Sequence, residues 1–238
     1  MIRPELLYGV AAAAANVLGA IAVTTRATWT VRALDALLSF AAGFLISVSV
    51  VDLFPQSIAV AGPIAPAVVL LAYLLVHLTQ HTIGRHFHFG VETHPVSEIV
   101  SMSALVGLLM HTFVDGVAVA SGLRVSPRLG ALVFVAILLH KFPEGLAISS
   151  LFLAAGARRR NAILAATALG ATTIAGVLLT DHWSFLRTYG LAISAGVTLY
   201  VGASNLVPEL QDRPGPRIPL SFIAGCGLYF VARSLAAV

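Results

Sequence analysis

A helix that crosses the hydrocarbon core of a bilayer needs about 20 consecutive, mostly apolar residues. This sequence supplies such stretches one after another, and little else. Eight can be read along its 238 residues: 5–25, 33–54, 63–84, 97–121, 129–154, 160–180, 187–208 and 217–236. Loop chemistry fills the breaks. Arg26 to Arg32 separates the first pair, and Gly62-Pro63-Ile64-Ala65-Pro66 opens the third stretch. Arg158-Arg159-Arg160 divides the fifth from the sixth, and Asp212-Arg213-Pro214-Gly215-Pro216 precedes the eighth. The longest polar run goes only from Arg85 to Ser97, too short for a soluble domain. The first stretch is too long for the apolar region of a signal peptide, and only Arg3 precedes it. The expected fold is all-α and integral to the membrane: one polytopic domain over residues 1–238 with eight transmembrane helices.

Charged residues make up 10% of the chain and hydrophobic residues 58%, whereas soluble domains carry about 25% charged residues. That excludes a water-soluble enzyme, a disordered chain and a nucleic-acid binder. The formal charge of +4 does not argue for nucleic acid, because thirteen of the fourteen basic residues are Arg and most flank apolar stretches. There they meet lipid headgroups. Arg26, Arg32, Arg85, Arg158, Arg159, Arg160, Arg213 and Arg217 fall on one side, eight residues against five. Arg3, Arg124, Arg128, Arg187 and Arg233 fall on the other. The richer side is expected to be cytoplasmic, with both termini outside and the Arg85–Ser97 loop inside. The single cysteine, Cys226, excludes an intrachain disulfide and a thiolate metal cluster, and reads as a small core residue.

Two internal repeats shape the architecture. His111-Thr-Phe-Val-Asp115-Gly-Val-Ala-Val-Ala-Ser121 in the fourth stretch matches His140-Lys-Phe-Pro-Glu144-Gly-Leu-Ala-Ile-Ser-Ser150 in the fifth. Consecutive spans run antiparallel, so the copies face each other head to tail. In the second pair, Ala42-Gly43 precedes Asp52-Leu53-Phe54-Pro55-Gln56, and Ala195-Gly196 precedes Asn205-Leu206-Val207-Pro208-Glu209. The Gly-to-Pro distance is twelve residues in both. A 3+2+3 inverted repeat, stretches one to three matching six to eight, accounts for both pairs. Transporters use such repeats and broken helices to place a substrate site near the midplane.

An ionisable side chain inside the membrane is costly and marks a functional site. His111 and Asp115 are four residues apart, on one helix face, and His140 and Glu144 repeat that spacing. If the faces meet, two imidazoles and two carboxylates converge, and a divalent cation is the simplest way to neutralise the buried acids. The donor set suits zinc, with iron(II), manganese, cobalt and cadmium as alternatives. Pro143 frees the carbonyl of Leu139, and Gly116 and Gly145 follow the two acids, so the local helix is weakened as an ion pathway requires. Lys141 sits mid-membrane beside this face and is expected to pair with Asp115 or Glu144.

Weaker candidates line the expected pathway. His77 and His81 are four apart near the cytoplasmic end of the third stretch, and His86, His88 and His94 continue in the loop. A loop so rich in histidine can receive metal or be merely solvated. Glu209 follows Pro208 at the cytoplasmic end of the seventh stretch, and Asp52 lies near the outer end of the second. Asp52 either attracts cations or serves as a paired structural acid.

These residues resemble the ZIP family of divalent-metal transporters along the whole chain. His111-x-x-x-Asp115-Gly116 and His140-Lys-Phe-Pro-Glu144-Gly145 look like the family's helix-four and helix-five signatures, in the form of its prokaryotic, GufA-like branch. The resemblance implies metal movement into the cytoplasm by an elevator-like shift, and homodimers in the cytoplasmic membrane. It also implies a two-metal centre whose second position falls here on Thr112, Lys141 and Thr167, where relatives carry an amide and carboxylates. This sequence departs at all three, which implies a single-metal site with the lysine charge in place of a second ion. Gln56 likewise stands where a glutamate is common.

Two other readings compete. A zinc-dependent intramembrane hydrolase needs buried His and acid ligands with an open position for water, but no His-Glu-x-x-His occurs. A proton-driven channel or antiporter without metal is the third.

Overall fold

A computed structural model describes residues 4–25, 31–82, 98–208 and 215–235. Among the described residues the chain is helical, with no strand. The elements are α1 (Pro4–Thr24), α2 (Val31–Val48), α3 (Phe54–Ala61), α4 (Ala65–Thr82), α5 (Glu98–Val125), α6 (Pro127–Ala154), α7 (Arg159–His182), α8 (Ser184–Tyr200) and α9 (Arg217–Leu235). Among the described residues six helical runs are long and apolar enough to cross a membrane: Pro4–Thr24, Asp35–Gln80, Ser101–Val125, Pro127–Ala154, Arg159–His182 and Arg217–Leu235.

The 46-residue run Asp35–Gln80 is interrupted at Gly62, whose φ of 73° is a left-handed geometry that glycine reaches without strain. The helix of the second stretch also continues past its expected end at residue 54, through α3 to Ala61. Pro55 does not stop it, because it sits in the first turn of α3, directly after a π-helical turn that accommodates its missing N–H.

The expected repeat of Gly43–Pro55 and Gly196–Pro208 carries the same backbone irregularity in both copies. A π-helical turn spans Ser49–Leu53, and another spans Val201–Leu206. In each, the residue just before the proline donates five residues back, Phe54 N–H to the Ser49 carbonyl and Val207 N–H to the Gly202 carbonyl. A proline two residues beyond the turn leaves a carbonyl without its helical donor, and the wider turn absorbs the mismatch. Ser49 Oγ, freed to point sideways, donates to the Ala195 carbonyl at 2.8 Å and so ties the two repeat units together.

Packing sorts the helices into two groups. α1 and α5 lie against α6 and α7, whereas α2 packs on α9, and α3 and α4 pack on α8. Lipid supplies no hydrophobic drive between helices, so close backbone approach at small residues takes its place. The α1–α6, α5–α7 and α2–α9 interfaces each have a glycine on both sides. A Cβ on Gly145 would overlap the Asn16 carbonyl of α1, and one on Gly19 would overlap the Phe142 carbonyl of α6. Gly116 and Gly176 meet the carbonyls of Thr173 and Phe113 in the same way between α5 and α7. Exposed leucines and isoleucines such as Leu71, Leu78, Ile99 and Ile223 cover the outside, as lipid contact demands.

Candidate metal centre

α5 and α6 form a hairpin joined by a single residue. Ser126 is the N-cap of α6, and its side chain accepts the Leu129 N–H at 3.1 Å. His111 lies fifteen residues before that turn and His140 fourteen after it. Nearly equal distances along antiparallel helices bring the rings almost level, roughly 22 Å from the turn at 1.5 Å per residue. Their centroids are 5.6 Å apart. The i,i+4 spacing then delivers one acid beside each ring.

One ligand atom from each of His111, Asp115, His140 and Glu144 lies within 4.8 Å of the others, and all four residues are buried. Asp115 Oδ2 is the hub. His111 Nε2 stands 3.3 Å from it and His140 Nε2 3.4 Å. Donor atoms of a tetrahedral zinc site lie about 3.3–3.6 Å apart, so three of the four need little adjustment. His140 Nδ1–H donates to the Ala136 carbonyl at 2.9 Å. With Nδ1–H so engaged, the neutral ring turns its Nε2 lone pair toward Asp115 Oδ2, where a cation between them would be held by both. Neither ring nitrogen of His111 makes a hydrogen bond, and neither does Glu144 Oε1. Buried polar atoms without partners are rare, and His111 and Glu144 each offer one ligand atom to the cluster. The donor set therefore fits a divalent ion.

Lys141 is fully buried. Its Nζ lies 2.7 Å from Asp115 Oδ2 and 2.7 Å from Glu144 Oε2. The ammonium thus clamps the two acids together. Thr112 is also fully buried, but its Oγ1 donates to the Leu109 carbonyl at 3.1 Å. Thr167 is exposed on α7, bonds the Ile163 carbonyl at 2.8 Å, and is not brought into the cluster. A second position built from Thr112, Lys141 and Thr167 is not assembled in this geometry.

The pathway candidates separate. Asp52 accepts the Tyr229 hydroxyl at 2.5 Å and Arg233 Nε at 3.3 Å, so its carboxylate is taken up by a structural pair. The π turn that ends α2 aims it across to α9. His77 is exposed on α4, with its ring 5.9 Å from that of Tyr200. His81 belongs to the last turn of α4. His86, His88, His94 and Glu209 lie outside the described residues.

One residue escaped the sequence reading. Asn16 is fully buried on α1 against Gly145, with neither side-chain polar atom bonded. An amide in the middle of an alanine-rich apolar stretch was its visible signal.

The described geometry is joined by one comparison. A model of the family described as ZIP zinc transporter matches residues 77–231, which includes both histidine–acid motifs. No curated protein matches the chain. Buried histidine–acid pairs on an inverted hairpin and the extent of the family match agree: this chain belongs to the ZIP zinc transporter family, whose members move divalent metal across membranes.

Proposed function

We propose that this protein carries zinc into the cytoplasm through a single-metal site formed by His111, Asp115, His140 and Glu144. The observation that carries the reading is the convergence of the four donors, with the His140 lone pair turned inward and His111 unbonded. Zinc is favoured over iron, manganese, cobalt and cadmium because two imidazoles and two carboxylates suit tetrahedral coordination.

Lysine makes the site mononuclear. Two carboxylates and one ammonium sum to −1, so one divalent ion brings the site to +1 and a second would bring it to +3. Such a charge is untenable in a low-dielectric interior, and Thr112 and Thr167 offer no anionic ligand. Before metal arrives, Lys141 holds the acids together and spares them mutual repulsion.

Eight crossings follow when the Gly62 break divides Asp35–Gln80 in two and α8 with its π turn is counted. All four ligands stand in the group α1, α5, α6 and α7. That group can shift as a body against the other helices, in the manner of an elevator, without rebuilding the site. On this reading the protein works as a homodimer in a prokaryotic cytoplasmic membrane, with its termini outside, as a transporter of the GufA-like branch. Uptake of radioactive zinc by proteoliposomes of the purified chain tests the function. Zinc accumulation that vanishes in His140→Ala is expected, and equal accumulation by the variant would overturn the reading.

A further inference from the structure

The end of the bundle where α5 and α7 begin holds a second cavity, remote from the metal centre. It encloses about 660 Å³ between the first turns of α5, the end of α6 and the start of α7. Its rim is polar, with Glu98, Arg158 and Asn161, and its wall is apolar, with Leu105, Phe152 and Leu164. Arg159 and Arg160 follow Arg158 in the first turn of α7, and all three arginines are exposed. None of the three makes an ion pair among the described residues.

Three features of this cavity select the same ligand. The candidate spans Ser101–Val125 and Arg159–His182 begin beside it, so it lies at the depth where headgroups meet hydrocarbon. Arg158 lines the cavity with Glu98, and Arg159 and Arg160 stand beside it in the first turn of α7, so among the described residues this end carries three guanidinium groups against one carboxylate. The N–H groups of Arg159 and Arg160 precede the first bonds of α7, made by the Asn161 and Ala162 N–H groups to the Arg158 carbonyl at 2.9 and 3.3 Å. They remain available to an anion. A free phosphate would use the rim alone, whereas a polar rim above an apolar wall matches an amphiphile.

We propose that this cavity binds an anionic phospholipid, with the phosphodiester on Arg158, Arg159, Arg160 and Asn161 and the glycerol and upper acyl chain against Leu105, Phe152 and Leu164. Basic pockets between transmembrane helices bind anionic headgroups on these grounds. The lipid would ride on α5, α6 and α7, the same group that holds the metal ligands, and the inference does not depend on which metal is carried.

Native mass spectrometry of the full-length protein, titrated separately with phosphatidylglycerol, phosphatidylcholine and inorganic phosphate, tests this. Phosphatidylglycerol should be retained far above phosphatidylcholine, and excess inorganic phosphate should not displace it. Each arginine near the surface contributes about fivefold, so the triple variant R158Q/R159Q/R160Q should lose on the order of a hundredfold in retention. R187Q, an exposed arginine at the other end of the bundle, should lose none. E98Q, which removes the one acid on the rim, should retain the lipid more strongly, and it keeps the test decisive if the triple variant is unstable. Equal retention of the two lipids, displacement by phosphate, undiminished binding by the triple variant, or weaker binding by E98Q would each overturn the proposal.

Discussion

Asp115 Oδ2 has two imidazole nitrogens and an ammonium within 3.4 Å, all buried. Removing one charge from such a cluster strands the others. Lys141→Met leaves Asp115 and Glu144 facing each other without a counter-charge, and breaking a buried pair in this way costs about 3–5 kcal/mol. The metal-free variant should therefore melt well below the parent, and saturating zinc should recover most of the difference. Thermal unfolding with and without zinc checks this, and a variant equally stable in both conditions would contradict the clamp. His111→Ala and His140→Ala each remove one donor, and zinc affinity by calorimetry should fall by more than about tenfold in each. Tyr229→Phe removes a charge-assisted hydrogen bond from Asp52 and should cost about 1.5–3 kcal/mol of stability. Zinc affinity should stay unchanged in that variant, because Asp52 is held by α9 and not by the metal cluster.

Helices approach in this chain through glycine, so a single methyl group acts on a whole element. Gly145 sits next to the candidate ligand Glu144, with the Asn16 carbonyl of α1 where a Cβ would go. Gly145→Ala forces α1 and α6 apart. The expected loss is about 1–3 kcal/mol of stability, with weaker zinc binding because Glu144 moves with the backbone. Gly227 offers a contrast, since nothing lies within 4 Å of a Cβ there, and Gly227→Ala should be neutral. Unfolding midpoints of the two variants, measured side by side, separate close approach from a general intolerance of substitution. Both repeats were legible as elements because the Gly-to-Pro spacing is a covalent fact. The π turns beneath them were not, because a proline marks where a helical donor is lost but not whether the backbone answers with a kink or with an i→i+5 bond.

At the scale of the molecule, the proposed eight-crossing topology puts Ser126 and Gly156 on opposite faces of the membrane. In a Cys226→Ser background, Ser126→Cys should react with an impermeant maleimide added outside intact cells. Gly156→Cys should react only after permeabilisation. Labelling of both from outside would contradict the topology. The prediction rests on the alternation of α5, α6 and α7 and on the arginine bias, eight residues against five.

The sequence alone determined the class of molecule and singled out the four candidate ligands. Twenty apolar residues in a row have few fates other than a membrane helix, and a repeated His-x-x-x-acid spacing places both groups on one face whatever surrounds it. Tertiary structure decided how those groups meet. Lys141 could have paired with either acid, and only the approach of α5 to α6 lets one ammonium reach both. Asp52 read equally well as a cation attractor or a structural acid until α9 supplied Tyr229 and Arg233 across 177 and 181 residues of chain. Thr167 matched a family position in sequence, yet the rotation of α7 leaves it exposed. Spacing along one helix is fixed by local hydrogen bonds, whereas rotation and partners between helices are fixed by packing, and packing is a property of the assembled bundle.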